Sequence, residues 1–141
     1  MEKARVHLEF CMELCRIQWE QGLYFLFEHP WTATSWENEQ VQEIWDLHGV
    51  QRVKGDMCQF GMVQHEGGEE VSVKKPTGFM SNSPKICERL RKLCPGKHKH
   101  ISLTGGRAKI AEIYPDALCS EILKGVIEQM RIDGRIGNGG D

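Results

Sequence analysis

Val6, Phe10, Leu14 and Ile17 recur at helical spacing near the start of the chain, with Cys11 and Cys15 beside them and Glu2, Glu9, Glu13 and Glu20 among the polar positions. The pattern predicts an amphipathic helix to about Gln21, stopped by Gly22. Leu23 to Phe27 then runs apolar without a break, as in a strand buried on both faces, and it exits into Glu28, His29 and Pro30. Helix, glycine and buried strand in succession are the rhythm of an α/β sheet. Ser35 or Trp36 opens a second helix in this reading, with Val41, Ile44, Trp45 and His48 along one side and Gly49 at its end. Val50 to Lys54 forms a short strand. Cys58–Val63 and Val71–Lys75 flank the polar glycine pair of HEGGEE, a hairpin signal. Gly78, Phe79 and Met80 read as a short extended piece. Asn82 or Ser83 caps a third helix with Pro84 at its first position, running to about Leu93. A basic loop, Cys94 to His100, leads to Ile101–Leu103 and the pair Gly105-Gly106. Pro115 starts a last helix through about Met130, with Leu118, Ile122, Val126 and Met130 on one face. The expectation is one α/β domain over residues 1–132 with helices on both faces of the sheet, and a glycine-rich, disordered tail over 133–141.

Composition narrows the class of protein. The chain has 141 residues, enough to bury a single core, and its net charge of −2 provides no global attraction to nucleic acid. No apolar run approaches membrane-spanning length. MEKARVHLEF lacks the apolar core of a secretory signal. Six cysteines without such a signal argue for reduced thiols or metal, so an intracellular location is expected, nuclear or cytoplasmic, with no membrane partner.

Three constellations carry candidate chemistry. The first is Glu28 at the exit of a strand, where open α/β sheets bind ligands. On residue type alone, a local capping role for Glu28 and an exposed His29 is the plainer alternative. The second is the ordered series DMCQFGM (Asp56 to Met62) and KKPTGFMSN (Lys74 to Asn82) downstream of that Glu-His-Pro triplet. The order and spacing of these segments, from about His7 to Gly125, resemble the C-terminal half of DNA cytosine methylase-like proteins, of the kind found in phage-type methylases and copia-like retroelement polyproteins. The resemblance implies a partial Rossmann-like sheet ending in an antiparallel hairpin. It also implies a nucleic-acid face in which Glu28, with His29 where the family commonly has Asn, contacts a base. Cys58 and Gln59 would lie on the hairpin, and Lys74, Lys75, Thr77 and Asn82 would face DNA, lysines and hydroxyls being suited to phosphate.

Two family features are missing: no glycine-rich methyl-donor loop follows the first strand, and no Pro-Cys nucleophile pair occurs. The implied molecule is therefore a module without catalysis of its own. S-adenosylmethionine would bind only in a longer or complemented protein supplying the upstream half. Rival expectations are a small zinc-stabilised interaction domain and a complementing subunit of a split methyltransferase.

The third constellation is Cys87, Cys94, His98 and His100, four soft or borderline donors spaced C-x6-C-x3-H-x-H, the number tetrahedral zinc takes. The competing reading makes Cys87 a small core hydrophobe and KHKH a solvated basic loop. His7, Cys11 and Cys15 form a further stripe that reads as core. Arg89, Arg91, Lys92, Lys97, Lys99, Arg107 and Lys109 concentrate positive charge around the same segment, either to follow a phosphate backbone or to be balanced by Glu66, Glu69 and Glu70. Trp31, Trp36 and Trp45 are the better stacking candidates, although tryptophan is more often core.

Overall fold

The computed structural model describes residues 2–100 and 114–137. In chain order it contains α1 (Glu2–Glu20), β1 (Leu26–Pro30), a 3₁₀ turn (Thr34–Glu37), α2 (Glu39–Trp45), β2 (Gln51–Asp56) and a second 3₁₀ turn (Met57–Phe60). β3 (Val63–Glu66), β4 (Glu69–Ser72), β5 (Pro76–Ser81), α3 (Pro84–Leu90) and α4 (Asp116–Ile132) follow. The class is mixed α/β, as the alternation of patterns predicts.

Two sheets form. β3 and β4 make the hairpin expected around Gly67-Gly68, with Val63 opposite Ser72 and Glu66 opposite Glu69. The larger sheet has the order β1-β5-β2, and both pairings are antiparallel, with Glu28 and Val53 each opposite Phe79. β1 and β2 therefore run in the same direction, joined through α2, and β5 from later in the chain is inserted between them as a split β-α-β unit. The adjacent parallel strands on which a Rossmann-like sheet rests are not seen among the described residues. The first strand also differs from expectation. It begins at Leu26, runs through Glu28 and His29 to Pro30, and lies at a sheet edge. A proline that cannot donate to the ladder is tolerated there. The piece at Gly78–Met80 is instead the central strand, five of its six residues buried.

Alternation along β5 builds two cores. Phe79 faces Val53, Phe60, Ile86, Leu90 and Leu118, under α3 and α4. Met80 faces the opposite way, towards Met12, Cys15, Phe25, Val41 and Ile44, under α1 and α2. Helices thus cover both faces. On α1 the buried side is Met12 and Cys15, with Leu8, Cys11 and Trp19 beside them. The stripe Val6, Phe10, Leu14 and Ile17, expected to face inward, is exposed at 39–59%.

Asn38 caps α2 and Ser83 caps α3, each side chain accepting backbone N–H bonds of the first turn. α4 docks on α3 where Gly125 lies over Ile86. Arg89 binds Glu128 at 2.5 Å and Glu121 at 3.2 Å, and Lys92 binds Glu121 at 3.4 Å. These bridges assign part of the basic segment to helix packing. Beyond α4, Asp133 Oδ2 accepts from Tyr24 Oη at 2.5 Å, and Arg135 donates to the Gly22 carbonyl. The expectations for Ile101–Leu103, Gly105-Gly106, Arg107, Lys109 and the tail from 138 lie outside the described residues. No helix among the described residues is long and apolar enough to cross a membrane.

Candidate metal centre

β2 ends at Asp56, and the chain turns through Met57–Phe60, with Met57 and Phe60 driven into the core and Gly61 closing the turn at φ +83°. Cys58, between those two anchors, is left half-buried at the surface. α3 ends at Leu90, and the loop after it returns over the same turn. Asp56 fastens the two together: its N–H donates to the Lys92 carbonyl at 2.9 Å, and its Oδ2 accepts the Cys94 N–H at 2.7 Å. His100 makes a parallel bridge with Ser72, which anchors the far end of the loop beside the hairpin.

The result is a cluster of Cys58, Cys94, His98 and His100 whose ligand atoms all lie within 4.8 Å of one another. Cys94 Sγ stands 3.3 Å from His98 Nε2 and 3.4 Å from His100 Nε2. The donors of a tetrahedral zinc, each about 2.0–2.3 Å from the ion, stand roughly 3.3–3.8 Å apart, so the two Cys94 spacings already match and the widest in the cluster must close by about 1 Å at most. The Gly96 N–H points at Cys94 Sγ from 3.4 Å. Burial, followed by His98 and Lys74, lowers the pKa of His100 and favours the neutral ring whose lone pair a metal needs. Burial raises the pKa of Cys58, and a bound dication would reverse that preference.

Of the four donors expected from the sequence, the structure brings Cys94, His98 and His100 together and leaves Cys87 apart. Cys87 is buried in α3, its Sγ directed at the Ser81 carbonyl 4.0 Å away, and burial lifts its pKa to about 11. It sits among Ile86 and Leu90 as a core hydrophobe. Cys58 takes its place, from the turn where Gln59 Nε2 lies 3.6 Å from its sulfur.

The residues expected at one nucleic-acid face are distributed over separate environments. Thr77 is fully buried and donates to the Lys75 carbonyl at 2.8 Å. Asn82 clips the entry to β1, accepting from the Phe25 N–H and donating to the Leu23 carbonyl, both at 2.9 Å. The Lys74 carbonyl accepts from Met57 N–H, and Lys75 turns the chain into β5 at φ +36°. Glu28 and His29 line a cavity of about 900 Å³ at the β1 edge, whose walls include none of Cys58, Gln59, Lys74, Lys75, Thr77 or Asn82.

Within that cavity Glu28 Oε1 accepts from Tyr114 Oη at 2.6 Å, while Oε2 is buried without a partner among the described residues. Desolvation at the cavity wall, followed by this bond, raises the pKa of Tyr114. His29 shares a hydrogen bond with Ser35 Oγ, and burial lowers its pKa against the opposing pull of Glu28.

Comparison with protein-family models finds no match, and comparisons with curated proteins and with solved structures find none either.

Two features escaped sequence reasoning. Arg52 lies over Trp31 at 3.7 Å and Trp36 at 4.2 Å, with Trp45 at 5.1 Å, and donates to the Trp31 carbonyl at 2.5 Å. The three tryptophans considered for base stacking thus enclose the chain's own cation. Tyr114, the partner of Glu28, lies 86 positions away from it and offered no local cue.

Proposed function

We propose that this chain is a zinc-stabilised interaction domain, in which Cys58, Cys94, His98 and His100 hold a structural ion. The convergence of these four donors from two separate segments carries the reading. Four protein ligands leave no open position for substrate, the arrangement of structural rather than catalytic zinc. The ion would join the turn after β2 to the loop after α3, a loop that buries little apolar surface of its own. The exposed Val6, Phe10, Leu14 and Ile17 stripe supports the interaction half of the reading, because contiguous apolar exposure marks contact surfaces. The nucleic-acid-facing, methyltransferase-like alternative draws on motif order, whereas the metal reading draws on donor geometry.

Purified protein should carry close to one equivalent of zinc. Cobalt substitution should give the visible spectrum of a tetrahedral, thiolate-ligated ion, and a chelator should lower the melting temperature. Cys58→Ser and Cys94→Ser should lose the metal, and Cys87→Ser should retain it. Protein that takes up no zinc, or a Cys58→Ser variant that binds as well as the parent, would overturn the proposal.

A further inference from the structure

The Glu28 cavity is distinct in lining from the metal cluster and has its own chemistry. One side is apolar, built by Leu26 and Phe79 of the sheet with Leu118 and Ile122 of α4. Glu28 is on this side, because its cross-strand partner is Phe79. Among the described residues its carboxylate has a single bond, from Tyr114, and Oε2 is enclosed with no donor in reach. Such an oxygen carries a desolvation cost that a donor would recover. Among the described residues the lining supplies no free counter-ion: Arg5, its one Arg or Lys there, is held by Glu2 at 2.6 Å. The volume falls within the range of small-ligand sites, where an apolar wall and one or two polar groups fix orientation.

We infer that this cavity binds a small molecule with an apolar body and a cationic nitrogen, an amine or amidinium, whose N–H groups pair with the Glu28 carboxylate. Leu26, Phe79, Leu118 and Ile122 take the body. Tyr114 is half exposed and covers the carboxylate, so entry turns its ring outward and replaces its hydroxyl with the ligand's charged donor. A cationic donor adds full charge pairing, bidentate for an amidinium, to the single hydrogen bond that the phenol supplies. His29 and Ser35 satisfy each other on the neighbouring wall and do not compete for the cation.

Benzamidine serves as the probe, with benzyl alcohol and benzoate as matched ligands lacking the positive charge. Titration calorimetry on the purified full chain should show saturable benzamidine binding, with both matched ligands weaker by about tenfold or more. Glu28→Gln should weaken benzamidine by a similar factor, and Tyr114→Phe, which removes the competing donor, should tighten it. The second variant keeps the test decisive if the first fails to fold. No saturable benzamidine binding, equal binding of benzoate, or indifference to both substitutions would overturn the inference.

Discussion

His29 shows how a single side chain sets a pH response. Burial lowers its pKa from the ordinary 6.5 in the folded chain. The unfolded chain therefore binds more protons between the folded pKa and 6.5, and stability rises with pH across that window. The contribution is complete above about pH 6.5 and is lost as pH falls through the folded pKa. Denaturant unfolding from pH 7.5 to 5 should show stability falling with acidification, and His29→Gln should flatten that slope. A second residue-scale prediction concerns Gly78, where an added Cβ would meet Trp36 Cζ2 at 2.6 Å. Trp36 cannot easily yield, since its Nε1 donates to the Pro30 carbonyl at 2.7 Å and Arg52 lies over its ring. Gly78→Ala should cost roughly 1–3 kcal/mol, read as a lower urea midpoint with altered tryptophan fluorescence. Legibility at this scale depended on sequence distance. Cys94, His98 and His100 lie close enough together to be read as donors. Cys58 comes from a turn beyond the preceding hairpin, with no spacing rule to connect it. Cys87 satisfied the donor count, but its position beside Ile86 and before Leu90 already matched the buried stripe of a helix.

Among the elements, the hairpin, the Ser83 cap, the Pro84 start of α3 and the apolar face of α4 follow directly from local pattern and turn chemistry. α1 does not, because it carries two apolar stripes. Leu8, Met12, Cys15 and Trp19 repeat as regularly as Val6, Phe10, Leu14 and Ile17, and periodicity cannot choose between them. The smaller thiol and the flexible methionine fit the crowded face against α2 and β1. β5 was under-read for a related reason: Pro76 and Gly78 are strand-breaking signals, yet Pro76 stands at the strand's first position and Gly78 makes room for Trp36. The same close approach governs α3 against α4. A Cβ on Gly125 would stand 2.8 Å from Ile86 Cα, a backbone atom that cannot rotate away. Gly125→Ala gains about 1 kcal/mol of helix propensity but must separate the two helices, at roughly 1–3 kcal/mol. The net effect should be a lower melting temperature, whereas alanine at the exposed Lys124 should change it little.

Across the described residues, the two cores lie on opposite faces of the three-stranded sheet, and β5 is the member common to both. Phe79 belongs to one core and Met80 to the other, so a cavity at either position should weaken the whole domain. Phe79→Ala should cost about 3–5 kcal/mol and leave a single unfolding transition rather than two. The central position of β5 also imposes an order on synthesis. β1 is complete at Pro30 and β2 at Asp56, yet they touch the same strand rather than each other, and that strand begins at Pro76. A nascent chain emerging from the ribosome therefore holds two finished strands with no edge to share until the third arrives. Stalled chains exposing residues only to Lys75 should remain protease-sensitive, and those exposing the chain through α3 should gain protection. During that interval, α1 is the one long helix among the described elements before β5 that could shelter the apolar stretch from Leu23 to Phe27, and chains stalled before Pro76 should bind chaperones more tightly than chains that have released β5.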